Sequence, residues 1–172
     1  RETVYVITPG YQLVALDAST GRPRHAFGYE GVVDLKNHVG GVTDTDTASI
    51  GASSPPIVVN GVVVVGAAFS FSGAPKSPQG LKGNITAYDA ETGALRWRFN
   101  TIPQLNEVGH DTWLEGSASY TGNAGVWAPM TADPELGYVY LPVEAPTSDY
   151  YGGHRPGDNL FGQSLVCLDA AT

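Results

Sequence analysis

Apolar residues along this chain fall in short runs that alternate with turn-forming residues, and no run carries helical spacing far enough to make a helix of ten or more residues. One phrase recurs three times: Leu13-Val-Ala-Leu-Asp17-Ala-Ser-Thr-Gly21, Ile85-Thr-Ala-Tyr-Asp89-Ala-Glu-Thr-Gly93 and Leu165-Val-Cys-Leu-Asp169-Ala-Ala-Thr172. Each copy is an apolar strand entering a turn whose Asp side chain can accept bonds from backbone N–H groups ahead. The Gly supplies the positive φ that such a turn needs. After its turn the second copy alternates apolar and polar positions through Leu95-Arg-Trp97-Arg-Phe99, as an outer strand does.

Between the first two copies, Pro56-Ile-Val-Val-Asn60-Gly61-Val-Val-Val-Val65 reads as two strands joined by Asn-Gly, the strongest short hairpin signal. Its continuous apolar runs predict strands buried on both faces. Between the second and third copies, Val126 to Leu141 again reads strand, turn, strand. The repeating unit is therefore four antiparallel strands, and tandem four-stranded units predict an all-β fold, a segment of a β-propeller. The pattern gives a partial blade at 1–27, a full blade at 54–99 and a partial blade at 126–172, about two and a half blades in all. Asp17 and Asp89 lie 72 residues apart, and Asp89 and Asp169 80, longer than the ~40–50 of compact blade repeats. Insertions at 28–53, 67–83, 100–123 and 145–162 take up the excess, and loops of that size are usually functional. A closed ring needs at least four blades, so the chain is expected to be a fragment. The rest of the propeller or another chain would cover its open edges.

Composition narrows the chemistry. The 22 Gly and 12 Pro residues suit many turns, and a hydrophobic content of 42% excludes a disordered tail. A formal charge of −8 disfavours nucleic acid and anionic bilayers. The longest apolar stretch, 61–69, is far short of the ~20 residues that span a bilayer. The lone Cys167 excludes an internal disulfide framework and a Cys-rich metal site, and its apolar neighbours predict a buried small hydrophobe. No Gly-x-Gly-x-x-Gly after a strand, no Gly-x-Ser-x-Gly and no His-Glu-x-x-His occurs. Asn84-Ile-Thr86 fits the glycosylation pattern but opens a strand, and is read as chance.

The repeated Ala-x-Asp-x-x-Thr-Gly-x-x-x-Trp phrase, clearest from Ala87 to Trp97, combines with Ser54-Pro-Pro-Ile-Val-Val, Gly109-His-Asp-Thr-Trp113, Gly125-Val-Trp127-Ala-Pro and Tyr150-Tyr-Gly-Gly-His-Arg-Pro-Gly-Asp-Asn159. Together they resemble the pyrroloquinoline quinone (PQQ)-dependent dehydrogenases of the glucose, polyol and alcohol dehydrogenase group, over essentially the whole chain. The resemblance implies an eight-bladed propeller with PQQ across its axis and a divalent cation, usually Ca2+, beside it. It also implies oxidation of an alcohol or sugar hydroxyl, electron transfer to a quinone or cytochrome, and a periplasmic or secreted location. The repeat phrase alone is shared with non-catalytic propellers of the superfamily, so the competing reading is a scaffold that binds other proteins. A third is an assembly module completed by another chain.

The resemblance carries over residue by residue. Trp127, expected on an innermost strand six residues before Asp133, matches the tryptophan that stacks on the quinone; the alternative is a core Trp packed between blades. Ser53 aligns with a hydroxyl residue that contacts the cofactor, or else satisfies local backbone. Arg155 could reach a cofactor carboxylate or a substrate hydroxyl, or pin its long loop by an ion pair. Where relatives place a carboxylate after the hairpin, this chain reads Gly66-Ala-Ala-Phe-Ser70-Phe71. Replacement oxygens would come from Ser70, or from Glu144 and Asp149 in the last insertion, Glu144 being otherwise a solvated loop carboxylate. His110 and Asp111 could rim the pocket, His110 being more often a loop-ordering residue. Trp97 is assigned to packing between blades, with His25 at its place in the first repeat. The family's catalytic Asp belongs to a later blade, so no catalytic residue is expected in this segment.

Overall fold

The computed structural model describes residues 2–40, 50–69 and 80–172. The strands are β1 (Thr3–Ile7), β2 (Gln12–Asp17), β3 (Val32–Asp34), β4 (Ile50–Gly51), β5 (Ile57–Val59), β6 (Val62–Val65), β7 (Ala68–Phe69), β8 (Ile85–Asp89), β9 (Leu95–Phe99), β10 (Thr131–Asp133), β11 (Tyr138–Val143) and β12 (Ser164–Asp169). They form a four-stranded antiparallel blade, β5-β6-β8-β9, flanked by two three-stranded ones, β1-β2-β3 and β10-β11-β12, with a small β4-β7 ladder beside them. This is the β-propeller arrangement that the repeats predict. Among the described residues the longest α-helix is the single turn Ser117–Tyr120, and no helix is long and apolar enough to cross a membrane.

The central hairpin shows why its sequence is apolar on every position. Asn60 (φ 47°) and Gly61 (φ 79°) form the two-residue turn that pairs Val59 with Val62. All four valines of β6 are buried, and alternation sends them to opposite sides of the blade. Val62 and Val64 join Ile85, Ala87, Val139 and Leu141 in the core shared with the third blade. Val63 and Val65 join Leu13, Ala15 and Tyr88 in the core shared with the first. At about 1.5–3 kcal/mol per buried side chain, this strand couples both neighbours.

The recurring phrases dock each blade on the next. Trp97 Nε1 donates to the Ala170 carbonyl at 3.0 Å, which places it between blades as its sequence position predicts. In the first blade His25 does not take that part: it is exposed and paired with Glu30. Tyr5 does so instead, its hydroxyl donating to Ala90, the equivalent carbonyl, at 2.5 Å.

Two departures from expectation have local causes. The outer strand of the first blade does not stop near Phe27. After a bridge between Leu16 and Pro23 the chain turns through Glu30 (φ 52°) and Gly31 (φ 93°), and β3 rejoins β2 within the stretch expected as an insertion. Gly28 permits this, since a Cβ there would lie 2.2 Å from the Val32 carbonyl oxygen. Cys167 is exposed, not buried, because it shares the outward face of β12 with Leu165 while Val166 points to the core. Asn84 is buried, its side chain accepting from Gly40 N–H at 2.8 Å, in keeping with a chance glycosylation pattern.

Asp17 Oδ1 accepts from the N–H groups of Ser19 and Thr20, and Asp89 Oδ1 from those of Glu91 and Thr92. The Ser19 hydroxyl bond is the main cause that holds Asp17 down to about 2, and the Arg96 guanidinium is the main cause at Asp89, also about 2. An unfolded Asp titrates near ~3.9, so this stabilisation is complete above that pH and is lost as pH falls toward 2. Thermal unfolding followed from pH 5 to 2 is expected to show a falling midpoint, and Asp89→Asn is expected to flatten the fall. A fall as steep in Asp89→Asn would show that this turn does not contribute to it.

Candidate cofactor and metal site

Three segments meet at the end of β6. The β4-β7 ladder pairs Gly51 with Ala68 and so brings residues 52–56 to this end. The backbone of residues 125–126 packs flat on residues 66–67: a Cβ on Gly66 would lie 2.3 Å from the Val126 oxygen, and one on Gly125 2.3 Å from the Ala67 oxygen. Gly83 closes the other side, 2.2 Å from Gly125 N by the same measure. Only glycine allows main chains to approach this closely.

Trp127 projects from this seam. It lies outside every strand, four residues before β10 begins, which corrects the expectation of an innermost-strand position. Pro129 two residues on offers no N–H to a ladder, which accounts for the late start. Trp127 is 52% exposed within this segment. The Ser54 hydroxyl donates to the Trp127 carbonyl at 2.6 Å. Ser53, next in the chain, is exposed and lines a cleft of about 340 Å3 with Tyr5, Ile7, Ala52 and Pro56. The fold thus brings the segments of Ser53 and Trp127 together from separate blades.

Glu144 approaches from the same side. Its N–H donates to the Gly125 carbonyl at 2.9 Å, and its Oε1 would lie 3.2 Å from a Cβ on Gly125. Residues 122–125 are threaded between two strand-like stretches. Asn123 N–H donates to Leu81 and Gly83 N–H to Asn123, both at 2.7 Å, and Thr147 N–H donates to Gly122 at 3.0 Å. Lys82 anchors the threading: its buried ammonium donates to the Ala118 carbonyl at 2.7 Å and to those of Ser119 and Thr121, and burial lowers it to about 8.

Three buried oxygens here have no hydrogen-bond partner: Glu144 Oε1, Asn123 Oδ1 and Asp149 Oδ1. Burial raises the Glu144 carboxyl to about 7; the Asn123 side chain opposes this and the Asp149 charge adds to it. Glu144 is therefore a desolvated carboxylate and not a solvated loop residue. Orphaned buried acceptors with acidic character suit a hard cation, which takes carboxylate and amide oxygens together. Among the described residues no group of three or more His, Cys, Asp or Glu could hold a metal, so a cation here would also need the Asn123 amide oxygen. Ser70 and Phe71 lie outside the described residues.

Arg155 behaves first as a loop tie. Its guanidinium donates to Asn159 Oδ1 at 2.9 Å and to the Asp149 carbonyl at 3.3 Å, leaving Nε buried without a partner. His110 orders its loop through the Pro103 carbonyl at 2.9 Å, and Trp113 is buried, donating to the Leu160 carbonyl at 2.5 Å. Asn123 escapes sequence reasoning because Gly122-Asn-Ala-Gly125 reads as an ordinary turn. Its bridges to Lys82 and Pro146 are long-range features with no local signal.

The whole chain, residues 1–172, matches the family described as PQQ glucose/ethanol/alcohol dehydrogenase, β-propeller domain. It is 34% identical over 163 residues to the glycerol dehydrogenase large subunit of Gluconobacter oxydans, covering 94% of this chain and 21% of that protein. It is 33% identical to the quinate/shikimate dehydrogenase (quinone) of Acinetobacter baylyi, covering 98% of this chain and 20% of that protein. Among solved structures, the quinohemoprotein alcohol dehydrogenase ADHIIG of Pseudomonas putida superposes with a TM-score of 0.73 at 30% identity, over 99% of this chain and 24% of that one. A europium-containing methanol dehydrogenase shares the fold, with a TM-score of 0.74 at 21% identity. The chain thus spans between 20% and 30% of the length of these relatives.

Proposed function

Because the chain belongs to the PQQ-type glucose/ethanol/alcohol dehydrogenase β-propeller family, we propose that it is the cofactor-platform segment of a quinoprotein that oxidises an alcohol or sugar hydroxyl. The observation that carries this reading is the half-exposed Trp127 on a segment whose Gly125 meets Glu144, one of three residues with unpartnered buried oxygens, a flat apolar side chain on the same seam as a hard-cation donor. When bound, PQQ would accept the hydride equivalent and Ca2+ would polarise its carbonyl. Trp127 would hold the ring plane by stacking, and the Ser53 hydroxyl would donate to an oxygen at the cofactor rim. Glu144, with Asn123 and Asp149, would supply cation oxygens once its proton has left. Arg155 would act through Asp149, keeping that side chain's backbone in place, with its buried Nε still without a partner.

The catalytic base and the remaining cofactor contacts would come from other blades. A quinone or cytochrome would receive the electrons, and the protein would work in the periplasm or outside the cell. Titration of the full-length apoprotein with PQQ and Ca2+ tests this reading. PQQ is expected to quench indole fluorescence, and Trp127→Ala is expected to remove most of the quench and to weaken binding by about 100-fold, the scale of one fully used aromatic anchor. Absence of any PQQ response in the native protein would instead favour the non-catalytic scaffold.

A further inference from the structure

We infer that Ser54 is a positioning residue for the cofactor platform, its hydroxyl fixing the peptide from which the Trp127 indole projects. This rests on the reading of Trp127 as the stacking residue. The bond joins residues 73 apart in sequence at 2.6 Å, a short separation for a neutral hydroxyl and a carbonyl. Trp127 lies outside the strands, so no ladder sets its peptide plane. On one side Val126 is pressed against Gly66, and on the other Ser54 takes the Trp127 carbonyl, so the indole hangs between a packing contact and a hydrogen bond.

The donor is mounted stiffly. Pro55 and Pro56 follow Ser54, and their rings lock φ while the first restricts Ser54 to extended backbone. Little freedom remains to be lost when the bond forms, and a preorganised donor of this kind holds a ligand surface more effectively than a mobile one. Ser53 precedes Ser54 on the same mount and faces the cleft. One rigid Ser-Ser-Pro-Pro segment therefore sets a hydroxyl at the cleft and the angle of the aromatic plane, linking the second blade to the third at the place where the cofactor would lie.

The test uses the full-length apoprotein, PQQ with excess Ca2+, and indole fluorescence as readout, beside the thermal midpoint. Ser54→Ala is expected to raise the PQQ Kd about tenfold, the worth of one hydrogen bond, with the midpoint shifted by only a few degrees. Ser54→Thr, which keeps the hydroxyl, is expected to bind PQQ within about threefold of the native protein, a difference under 1 kcal/mol. If Ser54→Ala lowers the midpoint but leaves the PQQ Kd unchanged, Ser54 is an interblade staple only and the inference is overturned. If Ser54→Thr binds as poorly as Ser54→Ala, the hydroxyl is not the cause and the inference is likewise overturned. Trp127→Ala separates the two levels. Unchanged binding in that variant would remove the platform reading itself, whereas weakened binding there with native binding in Ser54→Ala would remove the role of Ser54 alone.

Discussion

Glu144→Gln is expected to lower the Ca2+ affinity of the full-length protein by about 100-fold or more while raising the stability of the metal-free form at neutral pH. The stability effect follows from burial, which holds the Glu144 carboxyl near 7, well above the ordinary 4.5. In the folded, metal-free protein the group keeps its proton between those values, whereas the unfolded chain has released it. The folded state therefore binds more protons in that window, and stability falls as pH rises from about 4.5 to 7. A neutral amide of the same shape removes that penalty and also removes the anionic oxygen. On the proposed reading, Ca2+ would act oppositely in the native protein by displacing the proton, so its affinity is expected to fall as pH drops below 7. Calcium titration by calorimetry at pH 6 and 8, with thermal unfolding in chelator, reads all three effects. Native Ca2+ affinity in Glu144→Gln would show that the cation, if held at all, is held elsewhere.

Gly125→Ala is expected to break the seam that carries Trp127. Its Cβ would meet the Ala67 oxygen at 2.3 Å, and that atom belongs to the backbone leaving β6 and has no rotamer by which to withdraw. The residues 125–127 must then lift away, with an expected cost of about 3 kcal/mol and loss of PQQ-dependent quenching. Gly21→Ala is the control. A Cβ there meets nothing within 4 Å, so only the positive φ of 69° resists it, at about 1 kcal/mol. Urea unfolding of both variants checks the contrast. Equal losses would mean that the seam relaxes and does not position Trp127.

Much of this architecture was legible because it is written locally. The Asp-to-Gly phrases, Asn60-Gly61 and the uninterrupted valines announce turns, a hairpin and a doubly buried strand, and these depend on near neighbours in sequence. Trp97 was legible for the same reason, as a fixed offset from its turn. What stayed hidden depends on approach between distant segments. Nothing near Tyr5 signals that it will reach Ala90 where His25 turns outward. Trp127 looked like a strand residue because its apolar neighbours suit one, but Gly125 and Val126 are committed to the seam. Glu144 and Asp149 could be named as acids, whereas Asn123 joined them only through backbone threading. Cys167 misled because its neighbours are apolar, although alternation in β12 puts it opposite Val166.

The four valines of β6 also carry a consequence for how the central blade finds its alignment. A strand with one oily face resists slipping by one residue, because the slip turns that face to water. Here both faces are oily, so a slipped β6 would hand each interblade core the other's valines and lose little by solvent exclusion. Alignment must then be enforced at the strand's end. Asn60 and Gly61, held at positive φ, admit a single crossing point, and the Asp89 carboxylate closes the partner strand where Val62 pairs with it. In this blade, burial supplies adhesion without direction, and the polar turns act as the index marks that set the chain in register.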